Sequence, residues 1–489
     1  MSVQYLAFDL GAESGRAIAG RLQSGVLDVR EIYRFANEPV RQNGSLHWDT
    51  LRLWLEMGRA LERAGDVRFE SVGVDAWGVD YALLGEGGDL LENPYHYRDA
   101  RNDGMMQAVL DRVGRDRIYD VTGIQFLQIN TLFQLYAACL HTPRVVAAAE
   151  SLVSIPDLFN YWLTGQVNSE YTIATTMQFV DARARTWASR LLEEIGLPTR
   201  LLTAIVQPGS VVGPMRDSVC PALAGTPVVA PACHDTASAV ASVSVGGQTA
   251  FLSSGTWSLL GTERSSPVIT AKARDLNFTN EGGACGTIRL LKNVAGLWLL
   301  QACRRAWGSA GASFDYDELL AGAADPTLAF RSLIDPDHRT FLNPRDMTVA
   351  IRDYCRQTAQ PEPLTPPAYA RAILESLALK YRLVLEWLEE LTGDRIAEIR
   401  IVGGGSRNRL LNQFTADATG RSVVAGPVEA TALGNIAMQM LATGAVSSLA
   451  EARQVIDRSF QVERFDPLEP ERWDAPYRRF LGYVELACA

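Results

Sequence analysis

The chain has 489 residues, 47% of them hydrophobic and 21% charged, with a formal net charge of −10. Such a composition excludes an intrinsically disordered chain and argues against a nucleic-acid surface, which needs a basic face. No stretch approaches about 20 uninterrupted apolar residues, so no transmembrane span is expected, and two domains are the default at this length.

The opening MSVQYLAFDL lacks the basic stretch of a secretory signal and runs straight into a strand-like segment. Seven cysteines, at 139, 220, 233, 285, 303, 355 and 488, form no CxxC pair. An odd, scattered set fits reduced thiols better than a disulfide framework, and no structural zinc site is expected. The cytoplasm is the expected compartment.

In chain order, YLAFDLG (5–11), AIAGRL (17–22) and VLDVREIYRF (26–35) predict three successive strands joined by turns. WDTLRLWLEMGRALERAG (48–65) predicts a helix with an apolar face of Leu51, Trp54, Leu55 and Leu61, stopped by Gly65. ESVGVDAWG (70–78) predicts a buried strand. Hairpin, helix and strand together indicate a mixed α/β domain. TPVVAPA (226–232) reads as a covered strand, and DTASAVAS (235–242) as the start of a tightly packed helix.

From about residue 249 the pattern recurs. TAFLSSG (249–255) and TWSLLGTE (256–263) predict strand, hydroxyl-and-glycine turn, and return strand. QPEPLTPP (360–367) is a surface connection before a long helix over 368–392. IAEIRIVGGGSRN (396–408) predicts a strand breaking into three glycines, and helices are expected over 410–420 and 432–444. The two halves thus open alike, which points to an internal duplication.

Three turns could hold phosphate: DLGAESGR (9–16), SSGTWS (253–258) and VGGGS (402–406). Glycine lets a backbone approach a ligand closely, and successive N–H groups make an anion-binding concavity. A plain hairpin turn is the competing reading of each. Neither G-x-x-x-x-G-K-[ST] nor G-x-G-x-x-G occurs, so both the P-loop and the dinucleotide fingerprint are absent. Two phosphate hairpins from two similar domains fit the actin-like ATPase arrangement. PACHDTASAVAS (231–242) sets His234 and Asp235 at a strand-to-helix junction. There Asp235 is either a helix cap or a general base at the carboxyl edge of a sheet, and the two roles are compatible.

FDLGAESGR, VDAWGVDY (74–81), YRDARN (97–102), GIQFLQINTLFQL (123–135), ACHDTASA (232–239), LSSGTWSL (252–259), NEGG (280–283), LKNVAGLWLLQ (291–301), IVGGGSRN (401–408) and AGPVEATALGNI (425–436) occur in this order. In these motifs, over about residues 4–460, the chain resembles the FGGY carbohydrate kinases. The resemblance implies a two-domain α/β chain of the actin-like ATPase (ribonuclease H-like) fold with an interdomain cleft. Its parts would be an N-terminal domain over 1–245, a C-terminal domain over 246–465 and an extension over 466–489. It implies ATP and Mg²⁺ as cofactors and transfer of the γ-phosphoryl group to the 1-hydroxyl of a small ketose, L-rhamnulose. Other sugars or polyols of the family (xylulose, fuculose, glycerol) are the alternatives, as is an actin-like ATPase that needs no sugar. By the same resemblance Asp235 is the catalytic base, and Gly78, His234 and Asp235 bind the substrate. Ala12, Glu13, Ser14, Gly15, Arg16, Thr256, Asn293, Gln301 and Gly404 bind ATP, and Asp9 orients the metal. Glu13 introduces a negative charge into a loop expected to hold phosphates, where its backbone N–H rather than its side chain is expected to contribute. The resemblance leaves the oligomeric state open between monomer and homodimer and implies no nucleic-acid or membrane partner.

Phosphoryl transfer asks the protein for in-line positioning, charge neutralisation and a carboxylate near the attacking hydroxyl, and Asp235 has the right chemistry. Trp77 is a candidate wall for the deoxy methyl of the sugar, with core packing as its alternative. The Gly78 amide and the Asp80 carboxylate are candidates for its hydroxyls. Arg98 and Asp99 are read as a structural ion pair.

Overall fold

The computed structural model of the chain describes residues 2–65, 67–342 and 344–488. Packing divides it into two compact units, and neither is continuous in sequence. The first holds 1–244, 263–290 and 430–461; the second holds 245–262, 291–429 and 462–489.

In the first unit, β1 (Ser2–Leu10), β2 (Ser14–Gln23), β3 (Val26–Ala36), β4 (Ser71–Ala76), β5 (Ser210–Pro214) and β6 (Pro227–Ala230) form one sheet in the order β5-β6-β4-β1-β2-β3. The apolar strands β1, β4 and β6 run parallel at its centre, as expected where both faces are covered. One covering element is the helix Thr50–Ala64, capped by the Asp49 carboxylate and ended at Gly65. Its buried stripe is Leu53, Met57, Ala60, Leu61 and Ala64, whereas Leu51 and Leu55 are more than half exposed. Of the apolar face expected from the sequence, Leu61 is buried and Trp54 packs half-buried against the core, while Leu51 and Leu55 turn outward. The residues that pack recur at four-, three- and one-residue steps from Leu53, and Leu51 and Leu55 fall outside that stripe.

Another covering element is the helix Ala430–Ala442, late in the chain. It crosses the short helix Asp235–Ala241 at Gly434, where a Cβ would stand 1.7 Å from the Ser238 carbonyl oxygen. Only glycine permits that approach. Polar residues of the same helix reach the sheet: Gln439 Nε2 donates to the Leu6 carbonyl (3.0 Å), and Asn435 Nδ2 donates to Asp75 Oδ2 (2.6 Å).

The second unit carries β7 (Thr249–Ser254), β8 (Trp257–Arg264), β9 (Glu398–Val402), β10 (Ser422–Ala425) and β11 (Glu463–Phe465), in the order β8-β7-β9-β10-β11. The expected duplication is visible in this order. Each unit has an antiparallel hairpin (β1/β2; β7/β8), then two parallel strands (β4, β6; β9, β10), then an antiparallel edge strand (β5; β11). The long helix runs over Pro366–Thr392, capped by Thr365, with Leu364 exposed in the segment before it. The six cysteines whose side chains are described are free, and Cys488 lies outside that set. Among the described residues no helix is long and apolar enough to cross a membrane.

Candidate functional site

The carboxyl ends of β1, β4 and β6, three neighbouring parallel strands, gather the residues singled out in the first half of the sequence. Open α/β sheets hold their ligands at such edges. Asp9 is the penultimate residue of β1, Gly78 follows β4, and His234 and Asp235 follow β6. The edge continues past the formal strands, since Ala76 N–H donates to the Cys233 carbonyl (2.9 Å) and Ala76 bridges His234 in parallel register.

His234, not Asp235, occupies the N-cap position of the helix, and its side chain makes no capping bond. Asp235 is the first helical residue. Its Oδ1 accepts from the backbone N–H and hydroxyl of Thr236, and its side chain is 31% exposed. Burial pushes the Asp235 pKa above the usual carboxylate range; the His234 ring works against that shift and Asp9 adds to it. A carboxylate with a raised pKa is a better proton acceptor toward an alcohol.

The turn leading to this pair is held from behind. Glu170, fully buried, accepts from Cys233 N–H (3.1 Å), Thr172 N–H (2.9 Å) and Thr172 Oγ1 (2.6 Å), while His234 N–H donates to Thr172 Oγ1 (3.2 Å). Burial raises the Glu170 pKa to about 8. Opposite His234 stands Gly78, where a Cβ would approach Nε2 to 3.3 Å and Thr176 Oγ1 to 3.2 Å. The next residue, Val79, has φ +69, a conformation that strains a β-branched side chain. Three hydrogen bonds keep it there: Val79 N–H to Thr176 Oγ1 (3.1 Å), and Thr131 Oγ1 (2.5 Å) and Gln134 Nε2 (3.1 Å) to its carbonyl. Strain that is over-determined in this way is typical of functional sites.

Asp80 is engaged by the protein's own donors. It is 1% exposed, and its carboxylate accepts from Trp48 Nε1 (2.5 Å), Trp77 Nε1 (2.9 Å) and Gln134 Nε2 (3.0 Å). Trp77 is 5% exposed and lies tilted against Trp48 with ring centroids 4.2 Å apart, and Trp48 in turn stacks on His96 at 4.3 Å. Burial pushes the His96 pKa down to about 3, so that ring stays neutral. Asp99 accepts from the backbone N–H groups of Leu46 (2.6 Å) and Arg101 (2.9 Å).

The expected phosphate loop is shorter than 9–16. Only Gly11, Ala12 and Glu13 lie outside strands; Ser14, Gly15 and Arg16 begin β2. Gly11 N–H donates to the Ser14 carbonyl (2.9 Å), and Glu13 is exposed. Gly15 answers to packing, because a Cβ there would lie 2.3 Å from the Phe35 ring. Arg16 pairs with Asp9, so the residues expected on phosphate and on metal are joined to each other. Asn37 closes the loop from outside: its N–H donates to the Glu13 carbonyl (3.0 Å) and its Nδ2 to the Gly11 carbonyl (2.9 Å).

Asp75, on β4 in register with Asp9, is fully buried. Its Oδ2 accepts from Asn435, its Oδ1 has no partner, and burial followed by the charge of Asp9 raises its pKa well above the ordinary value.

In the second unit, Thr256 and Gly404 sit just past the carboxyl ends of the adjacent parallel strands β7 and β9. Gly403 has φ +83, a Cβ on Gly405 would strike the Ser254 side chain at 2.0 Å, and Gly404 faces open space. Of the three glycines, Gly404 is exposed, Gly403 half-buried and Gly405 buried. The Thr256 carbonyl accepts from Gly296 N–H (3.1 Å) and Trp298 N–H (3.2 Å), which ties this turn to the helix Trp298–Ser309. Gln301, on that helix, keeps a buried Oε1 without a partner. Asn293 lies on the strand Ile288–Ala295.

Asn37, Asp75, Glu170 and Arg289, whose Nη2 lies 3.1 Å from His234 Nδ1, are the site residues that sequence reasoning missed. Asp75 lies inside the quoted VDAWGVDY run but was not singled out there, and the other three meet the site through the fold.

Two similar units, each a hairpin backed by parallel strands, define a two-domain kinase of the actin-like ATPase fold. The chain belongs to the FGGY family of carbohydrate kinases: the family's N-terminal domain matches residues 4–242 and its C-terminal domain residues 250–443. It is 45% identical to a rhamnulokinase of Bacteroides thetaiotaomicron, over 99% of this chain and 100% of that one. It is 44% identical to a rhamnulokinase of Pectobacterium atrosepticum, over 97% and 95%. Among solved structures the fold is similar to a gluconate kinase from Lactobacillus acidophilus (TM-score 0.80, 17% identity, 99% and 98% covered). It is also similar to Plasmodium falciparum glycerol kinase with ADP (TM-score 0.77, 15% identity, 99% and 98% covered).

Proposed function

We propose that the chain transfers the γ-phosphoryl group of ATP to the 1-hydroxyl of L-rhamnulose, with Asp235 as general base. The observation that carries the substrate is near-complete coverage at 45% identity by a protein named rhamnulokinase. The chemistry is supported by Asp235 at the sheet edge, partly exposed and with a raised pKa.

Asp235 takes the hydroxyl proton as the sugar oxygen bonds to the γ-phosphorus and the bond from that phosphorus to the bridging oxygen breaks, with ADP as the leaving group, an effect worth about 10² to 10⁴-fold in rate. Gly78 and His234 orient the ketose beside it. Ala12, Glu13, Ser14, Gly15 and Arg16 in the first unit serve the phosphates of ATP, the first four through backbone groups and Arg16 through its guanidinium. Thr256, Asn293, Gln301 and Gly404 serve the nucleotide in the second unit.

Asp9 would be the residue to hold magnesium, which would supply neutralisation of charge on the phosphate oxygens. No group of three or more His, Cys, Asp or Glu side chains able to hold a metal occurs among the described residues. Mg²⁺ commonly binds through one carboxylate, waters and substrate phosphates, which suits that donor set. An ATP-using enzyme with free thiols works in the cytoplasm.

The test is coupled ADP release over L-rhamnulose, xylulose, fuculose and glycerol. The expected result is the highest kcat/KM with L-rhamnulose and product phosphorylated at O1. A higher value with another acceptor, or ADP release that needs no sugar, overturns the reading.

A further inference from the structure

His234 is faced on its two nitrogens by different partners. Arg289 Nη2 lies 3.1 Å from Nδ1, and Nε2 lies 3.5 Å from Asp235 Oδ1, outside ordinary hydrogen-bond reach. Arg289 is wholly buried. Its Nε donates to the Gly282 carbonyl (2.9 Å), and its Nη2 also meets Glu281 Oε2 at 3.1 Å.

A guanidinium has five N–H donors and no acceptor. The 3.1 Å contact is a hydrogen bond only if Nδ1 offers its lone pair. Glu281 Oε2, 3.4 Å from Nδ1, attracts the opposite tautomer, but a proton on Nδ1 would point donor against donor at Arg289. We infer that Arg289 is a positioning residue which holds His234 as the Nε2–H tautomer, so that the ring presents a donor beside Asp235 and Gly78.

This inference rests on the reading of the site as a ketose kinase, and it divides the labour there. With Nδ1 occupied by Arg289 and Nε2 protonated, His234 has no free lone pair with which to take a proton. It donates to a sugar oxygen, and Asp235 is left as the base. The fixed tautomer means that no reorganisation is needed when the sugar arrives, which is how preorganised donors gain their effect.

Two measurements on the full chain test the inference. The first is long-range ¹H–¹⁵N correlation on ¹⁵N-histidine protein in weakly alkaline buffer, with His234 assigned among the five histidines by its loss in His234→Gln. The expected pattern is a protonated Nε2 and a bare Nδ1, altered in Arg289→Met. A proton on Nδ1, alone or together with Nε2, overturns the inference.

The second leaves Arg289 in place, in case its replacement prevents folding. A glutamine amide at 234 reaches the Nε2 position and an asparagine amide only the Nδ1 position. His234→Gln is therefore expected to stay within about tenfold of the native kcat/KM, and His234→Asn to fall about 100-fold, the loss typical of one missing donor. Equal losses, or a better asparagine variant, overturn the inference. A native chain that phosphorylates no ketose defeats the functional reading instead, and the spectrum of the free protein then decides the tautomer alone.

Discussion

Arg16 and Asp9 face each other across the β1/β2 hairpin and form an ion pair, with the carboxylate 6% exposed and the guanidinium 19% exposed. The pair holds the residue expected to orient a metal and the last residue of the expected phosphate loop in one arrangement.

Arg16→Met is expected to raise the KM for ATP by about tenfold or more, since a charge-assisted hydrogen bond contributes about 1.5 to 3 kcal/mol. It leaves Asp9 without its ion-pair partner in a nearly dry position, so a lower melting temperature is also expected. Steady-state kinetics with varied ATP and a thermal melt check both. An unchanged KM for ATP removes Arg16 from the nucleotide site.

Asp235→Asn keeps the shape of the side chain and removes the proton acceptor. Turnover of L-rhamnulose is expected to fall by about 10² to 10⁴-fold. ATP affinity by calorimetry is expected to stay at the native value. Native turnover in a folded variant would show that another group takes the proton.

Gly434→Ala brings a methyl group to 1.7 Å from the Ser238 carbonyl oxygen, and that oxygen belongs to helix backbone that cannot swing aside. Overpacking of this kind costs about 1 to 3 kcal/mol, occasionally more. The urea midpoint of the variant checks it.

Glu170 gives stability a pH dependence of definite sign. Burial raises its pKa from 4.5 to about 8, so between these values the folded chain keeps a proton that the unfolded chain has released. Its contribution is greatest on the acid side and is lost as pH rises through that window. Glu170→Gln is expected to flatten the slope by at most about 1.4 kcal/mol per pH unit. Urea unfolding at intervals across the window reads it, and a slope identical to that of the native chain means that Glu170 titrates normally.

The strands and the Asp235 turn were legible because apolar runs broken by glycine and hydroxyl residues are local signals. The duplicated hairpins could be read for the same reason, although the shared strand order of the two sheets could not. What the sequence hid depends on contacts between distant segments. Gly15 looks like a phosphate-loop glycine and answers to Phe35, twenty residues on in the chain. Asp80 looks like a sugar contact and holds two indoles. Leu51 and Leu55 look like core and face water, because a helix with apolar residues on several sides does not say which stripe its neighbours will cover. Arg289 comes to His234 from 55 positions later in the chain, with no periodic pattern to announce it.

The helix Ala430–Ala442 bears on how the chain is made. It supplies Asn435 to Asp75 and Gln439 to Ser71 Oγ and the Leu6 carbonyl, deep in the first sheet. While a ribosome is still adding the residues between 245 and 429, the nascent N-terminal portion has its strands but not this covering, and apolar side chains such as Tyr5, Ala7 and Ile18 lack their partners. Chains halted before residue 430 should therefore bind chaperones or precipitate, whereas chains that extend past residue 442 regain the covering helix.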